Sequence, residues 1–265
     1  NLNAAVRYSS YDIFGNDSNY KVGLDWQVVP SLKLRANYAT AFRIPNVPEL
    51  FGGVSEGNLT TTDPCNGWSN LPASSVVAQN CSASGVPAGY TQLGNTVLTT
   101  VGGNQKLQPE AAKTMTAGAV WTPTFMNDLT VTLDYYKIKI DNAIQRIDGS
   151  TKLAVCYNTP GLSHPFCSAS NFTRNRQTGE IDFLSAQPVN AASERLSGID
   201  LGAIYQFDLA GWKASLSADV SYLKNYDVKP FPGADDINYA GKITGGRGSY
   251  THWRSFTSLT MMRGS

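Results

Sequence analysis

Apolar and polar residues alternate one by one along most of this chain, in stretches of roughly 8–12 residues that each hold their phase. Tyr20, Val22, Leu24 and Trp26 form one apolar row, with Lys21, Gly23, Asp25 and Gln27 opposite. Leu32, Leu34, Ala36 and Tyr38 repeat it against Lys33, Arg35 and Asn37. Further rows are Met115 to Trp121, Leu129 to Tyr135, Ile199 to Phe207 and, most regular, Trp212 to Tyr222. Leu2, Ala4, Val6 and Tyr8 open the series, and Trp253, Leu259 and Met261 close it less cleanly. The pattern predicts about eight strands, each apolar on one face only.

The connections alternate between short and long. Short links lie between Gln27 and Leu32, from Pro123 to Asn127 and from Asp208 to Gly211; long ones run over about 43–111, 148–192 and 227–246. Short turns at one end and long loops at the other predict an all-β fold, an antiparallel transmembrane β-barrel with periplasmic turns and extracellular loops. A soluble antiparallel sheet with one wet face also alternates. Its strands cluster near five or six residues, whereas about ten residues cross a bilayer. Aromatic placement also favours the membrane: Trp26, Trp121 and Trp212 lie near the short turns, and Tyr8, Tyr38, Tyr135 and Tyr222 toward the long loops, as interfacial girdles require. No apolar run is long enough for a membrane helix. After Tyr135 the apolar phase slips to Tyr136, Ile138 and Ile140, which predicts a strand rising above the lipid rather than a bulge, with Lys137 and Lys139 above the membrane.

Eight strands can close a small barrel packed by its own side chains. Loops of this length, and small residues such as Gly23, Gly118, Gly202 and Ser217 on the polar face, point instead to a partial arc of a larger barrel. The chain opens at Asn1 without a signal peptide and closes after Met261 and Met262 without a terminal aromatic, which is read as a segment cut at both ends. Such an arc leaves two strand edges open and is expected neither to insert nor to transport by itself.

Charged residues are only 15% and the net charge is +1, which gives no footprint for nucleic acid. Four cysteines fall as Cys65 and Cys81 in one long loop and Cys156 and Cys167 in the next. Three connectivities are open; pairing within each loop closes the shortest rings and implies an oxidising compartment. Neither pair has zinc spacing, and His164 and His252 are the only histidines, so no metal or cofactor is expected. The glycine-rich segments at Gly102 and Gly245 are not phosphate loops, and no nucleophile elbow or triad spacing occurs, so no enzyme is expected.

Four ordered motifs carry a resemblance. Ala41-Phe42-Arg43-Ile44-Pro45 with Glu49-Leu50, Asn104-Gln105-Lys106-Leu107-Gln108-Pro109-Glu110, Asp134-Tyr135-Tyr136-Lys137-Ile138 and Ser197-Gly198-Ile199-Asp200-Leu201 resemble elements of TonB-dependent outer-membrane receptors. The second motif departs at Gln105. The resemblance implies a barrel of about 22 strands, a plug and a TonB-contacting box outside this chain, and a monomer in outer-membrane lipid. It implies TonB-energised uptake of a small-molecule ligand: an iron-siderophore, a carbohydrate or cobalamin. Aromatic and basic loop residues are the candidate ligand contacts: Arg43, Trp68, Tyr90, Arg146, Tyr157, Arg174 and Arg176. A passive porin, or an adhesive or structural surface barrel, would share the alternation but not the ordered motifs.

Overall fold

The computed structural model describes residues 1–244 and 248–263. In chain order the strands are β1 (Leu2–Tyr11), β2 (Gly15–Val29), β3 (Leu32–Arg43), β4 (Ser55–Thr60), β5 (Thr96–Val101), β6 (Glu110–Trp121) and β7 (Leu129–Arg146). They continue as β8 (Phe172–Arg174), β9 (Ile181–Ser185), β10 (Pro188–Leu209), β11 (Trp212–Lys229), β12 (Ile237–Asn238), β13 (Lys242–Thr244), β14 (Gly248–Tyr250) and β15 (Trp253–Arg263). The α-helices are α1 (Val47–Phe51), α2 (Val76–Ala83) and α3 (Gly149–Asn158). The chain divides into two compact units, a sheet unit (Asn1–Ile44, Gln108–Ala143 and Ala191–Ser265) and a loop unit (Pro45–Leu107 and Ile144–Asn190).

The sheet unit is a meander. Its long strands pair in the order β1-β2-β3-β6-β7-β10-β11, with β15 and the short β12 both on β11. The long strands number eight, as the alternation predicts. Among the described residues β1 pairs only with β2 and β15 only with β11, so the sheet is open. Much of the predicted apolar row lacks protein cover: Trp26, Leu133 and Leu216 all rank among the exposed large hydrophobics, whereas Ala214 is buried. The tight β10–β11 turn is Ala210-Gly211, both at positive φ (51° and 82°), a geometry suited to two-residue hairpins. At the Val29–Leu32 turn the register shifts, and the Gln27 side chain donates to the carbonyls of Val29 and Pro30. One connection departs from the predicted asymmetry. Residues 12–14 alone join β1 to β2, at the end where Tyr11 meets Phe42 and where other connections are long.

The polar face is built from cross-strand pairs. Arg35, Gly118 and Asp134 stand on one rung of β3, β6 and β7. The guanidinium reaches across the glycine to the carboxylate, at 2.9 and 2.5 Å. A Cβ on Gly118 would lie 2.0 Å from Asp134 Oδ1, so this crossing requires glycine. Lys33 and Asp25 pair nearby at 3.1 Å.

The loop unit has a core of its own. Its sheet runs β4-β5-β9-β8, with β5 and β9 parallel through Thr99 and Leu184. The segments predicted as long loops over 43–111 and 148–192 therefore carry strands, helices and a hydrophobic cluster that includes Val97, Leu153, Tyr157, Phe172 and Leu184. The disulfides join Cys65 to Cys81 and Cys156 to Cys167; the first three cysteines lie within that cluster and Cys167 packs against it. Asn46 and Glu49 form a reciprocal capping box that starts α1, and Asp148 caps α3 through Thr151 N. Asn80 on α2 donates to the carbonyls of Tyr157 and Thr159 and so ties the two disulfide-bonded segments together.

Candidate binding site

The two faces of the sheet exchange character along β7, β10 and β11. On β7 the apolar row Leu129, Val131, Leu133 and Tyr135 continues in phase as Lys137 and Lys139, both exposed. The opposite row passes from Thr132 and Asp134 to Tyr136, Ile138 and Ile140. The β6–β7 register runs unbroken from Trp121 and Val131 to Ala111 and Asp141, so the phase slip is one of composition and involves no bulge there. A bulge does occur between β10 and β11. Gly198 faces Leu223 and Ser197 faces Asn225, leaving Lys224 as the extra residue. That insertion turns Tyr226, rather than Asn225, toward the side occupied by Tyr136 and Leu223.

These residues wall a cavity of about 440 Å³. Tyr136, Ile138 and Ile140 supply one side, Leu196 and Leu223 the next, and Tyr226 and Tyr250 an aromatic rim. Gly198 makes the Tyr136 position possible, since a Cβ there would stand 2.3 Å from the phenol oxygen. Tyr226, Tyr239 and Tyr250 form a three-ring cluster with centroids 4.8–6.2 Å apart. The Tyr226 hydroxyl donates to Glu194 at 3.1 Å. His252 is fixed by two contacts with Leu223: its carbonyl accepts from Leu223 N at 2.8 Å, and its Nδ1 lies 2.7 Å from Leu223 O. Its ring packs where a Cβ on Gly241 would fall. Ser221, Thr251, Glu194, His252 and Arg254 are the polar groups converging on an otherwise aliphatic and aromatic wall. An apolar cavity of a few hundred Å³ with a few convergent polar groups is the usual form of a small-molecule site.

The residues chosen from the sequence lie elsewhere. Arg43 forks onto Glu110 at 2.7 and 2.8 Å and holds the end of β3 to β6. Arg146 and Arg176 are exposed in the loop unit. Trp68 is half-buried, donating from Nε1 to Pro87 O. Tyr90, Tyr157 and Arg174 come together, but inside the core. Arg174 donates to both oxygens of Asp63 (2.6 and 2.9 Å) and to the Tyr157 hydroxyl (3.0 Å). The Tyr90 hydroxyl donates to Asp63 at 2.9 Å, and Cys65 N at 2.8 Å. The Arg174 and Asp63 side chains are 5% and 0% exposed. Burial lowers the Arg174 pKa, but the bonds and charge of Asp63 outweigh it and hold the guanidinium above its ordinary value. Burial and then Asp63 push the Tyr90 phenol up. Nearby, burial brings Lys152 down to about 8 although its ammonium donates to Ser185 O at 2.8 Å. His164 accepts from Phe166 N and packs on that ring. Of the glycine-rich segments, Gly245 to Arg247 lies outside the described residues.

A family model for the TonB-dependent receptor-like β-barrel matches residues 1–263. The chain belongs to that family. TonB-dependent receptors are outer-membrane receptors and transporters rather than a class of enzymes. No helix among the described residues is long and apolar enough to cross a membrane, which says nothing of crossing by strands. Among solved structures, a mutant of the ferric enterobactin receptor PfeA from Pseudomonas aeruginosa, in complex with enterobactin, aligns over 97% of this chain at 15% identity and a TM-score of 0.53. The siderophore receptor PirA from Acinetobacter baumannii aligns over 98% at 10% identity and a TM-score of 0.50. This chain spans 34% and 36% of those two, so the likeness is one of fold over about a third of their length. No curated protein matches.

Proposed function

We propose that this barrel segment serves an outer-membrane receptor that captures a scarce small ligand at its outer end and imports it with energy supplied through TonB. The observation that carries this reading is the cavity walled by Tyr136, Leu196, Leu223 and Tyr226, at the level where the lipid-type face gives way to Lys137 and Lys139. The barrel would supply the apolar outer wall and the polar inner wall. The exposed Arg146 and Arg176 of the disulfide-tied loop unit would be further candidate ligand contacts. Plug and TonB-contacting box would come from sequence outside this segment. The ligand classes are iron-siderophore, carbohydrate and cobalamin; the enterobactin bound by one structural neighbour, and the other's being a siderophore receptor, make ferric siderophores the first probes.

The test is accumulation of radiolabelled ferric siderophores, cobalamin and oligosaccharides by cells with and without the full-length gene, before and after collapse of the proton gradient. Gene-dependent binding that survives collapse, with accumulation that does not, is the expected result. Gene-dependent accumulation indifferent to collapse would establish a passive porin. No gene-dependent binding of any probe would turn the reading toward a surface adhesive or structural barrel.

A further inference from the structure

We infer that the tyrosine-rimmed cavity takes a compact apolar organic acid, with Arg254 holding its carboxylate, a ligand class besides the three named above. This rests on the reading of that cavity as a ligand site. Two rungs of the sheet place an arginine and an aspartate on either side of one intervening strand. On β3, β6 and β7 the three residues are Arg35, Gly118 and Asp134, and the ion pair closes across the glycine. On β10, β11 and β15 they are Asp200, Ser221 and Arg254. There the middle residue carries a side chain, and the pair does not close. Among the described residues the exposed Arg254 guanidinium makes no ion pair or hydrogen bond. It is also the only Arg or Lys on the cavity lining.

The planar guanidinium matches a carboxylate through two parallel bonds, and the Ser221 hydroxyl stands directly opposite as a neutral donor. The one carboxylate on the lining, Glu194, accepts from the Tyr226 hydroxyl. It lies on β10 six residues before Asp200, about 20 Å along the strand from the rung of Arg254. Between these two charges the walls include Ile138, Leu196, Leu223 and the rings of Tyr136 and Tyr226. The cavity therefore offers one anion-binding end and an apolar body. Its 440 Å³ falls in the lower part of the range for small-molecule pockets, about 300–1,000 Å³, so the ligand is compact. A carbohydrate would leave most of its hydroxyls unpaired against these walls. A chelate with several negative charges would meet a single arginine.

The experiment is isothermal titration calorimetry of the full-length gene product in dodecyl maltoside micelles, against a blank of empty micelles. The probes are 2-naphthoate and its neutral isostere 2-naphthalenemethanol. The wild-type protein should bind the acid at least tenfold more tightly than the alcohol. Arg254→Gln should lose about 10–100-fold for the acid, the worth of one charge-assisted bond, and nothing for the alcohol. Ser221→Gly should let Asp200 close on Arg254 as Asp134 closes on Arg35, weakening the acid, and adding Asp200→Asn should restore it. Heat-modifiable gel mobility checks that each variant is folded; the comparison of acid with alcohol on the wild-type protein carries the test without any variant. Equal binding of acid and alcohol, no binding of the acid, or undiminished binding by folded Arg254→Gln would overturn the inference. If ferric siderophores, cobalamin or oligosaccharides still accumulate through the protein, the transport reading survives that failure. Binding of 2-naphthoate through Arg254, with no energised accumulation of any ligand, would uphold the site and overturn the transport reading instead.

Discussion

Removing the guanidinium from the loop unit tests whether that unit is organised around a buried charge. In Arg174→Met the Asp63 carboxylate, with no solvent exposure, keeps only Cys65 N and the Tyr90 hydroxyl as donors and loses two contacts of 2.6 and 2.9 Å. Hydrogen bonds to charged groups are worth about 1.5–3 kcal/mol each, which for two gives about 3–6 kcal/mol. The cost of orphaning one partner of a buried ion pair is similar, about 3–5 kcal/mol. Asp63→Asn should cost less, because the amide oxygen still accepts from Cys65 N, while Arg174 keeps the Tyr157 hydroxyl and Gly179 O. The double variant removes both charges and should fall short of additivity by about 2 kcal/mol or more, since contacting residues couple.

Backbone hydrogen exchange of the full-length protein reads this locally. Amides of residues 63–67 and 172–184 should exchange about two to three orders of magnitude faster in Arg174→Met, as every 1.4 kcal/mol is tenfold. The amides of β6 and β7 serve as an internal reference. Acceleration below threefold, or strict additivity in the double variant, would refute the argument that Asp63 and Arg174 organise this core.

Three further outcomes follow from the same geometry. The buried Lys152, at about 8 in the folded chain against 10.5 when unfolded, binds fewer protons folded than unfolded between those values. Stability of the loop unit should therefore rise from about pH 8 toward 10, by at most about 1.4 kcal/mol per pH unit, and Lys152→Met should abolish the slope in urea-dependent exchange. The raised Tyr90 phenol acts in the opposite sense above pH 10, where the unfolded chain ionises first, so the gain should reverse there. Gly118→Val places a Cβ against Asp134 and Leu133 O and should cost about 1–3 kcal/mol, seen as a lower heat-modification midpoint, whereas Arg35→Gln should cost under about 1 kcal/mol because the pair is part-exposed. Gly198→Val should displace the Tyr136 phenol and reduce affinity for the transported ligand at least tenfold in equilibrium binding, with the sheet still folded; unchanged affinity would remove the cavity from the site.

The strands were legible because lipid imposes a constraint on every second residue, and that constraint survives in a single sequence. The loop unit was not legible in the same way. Its core joins Val97, Leu153, Phe172 and Leu184 from two segments far apart in sequence, and its parallel β5–β9 pairing leaves no local period to detect. Asp63 reads as a solvated loop residue until Arg174, 111 residues later, is seen to close on it. Selecting loop aromatics and arginines by chemistry therefore found three members of a structural network, Tyr90, Tyr157 and Arg174, and none of the residues that wall the cavity.

The cavity did leave a signal in the slip after Tyr135. Read from one side, the slip says only that the strand has left the lipid, since Lys137 and Lys139 take the positions that had been apolar. A strand has two faces, and a change on one need not be matched on the other. Here Tyr136, Ile138 and Ile140 replace Thr132 and Asp134 on the interior side at the same rung, and the Lys224 bulge adds Tyr226 to them from a neighbouring strand. Insertion into a bilayer does not require that second change, because lipid sees only the outer face. Passage of water and ions does not require it either, since a porin lumen is polar. An apolar, tyrosine-rimmed wall at the level where Lys137 and Lys139 take over the apolar row is of use to a protein that must hold something before admitting it. That is the physical ground for reading this barrel as part of a receptor rather than a pore.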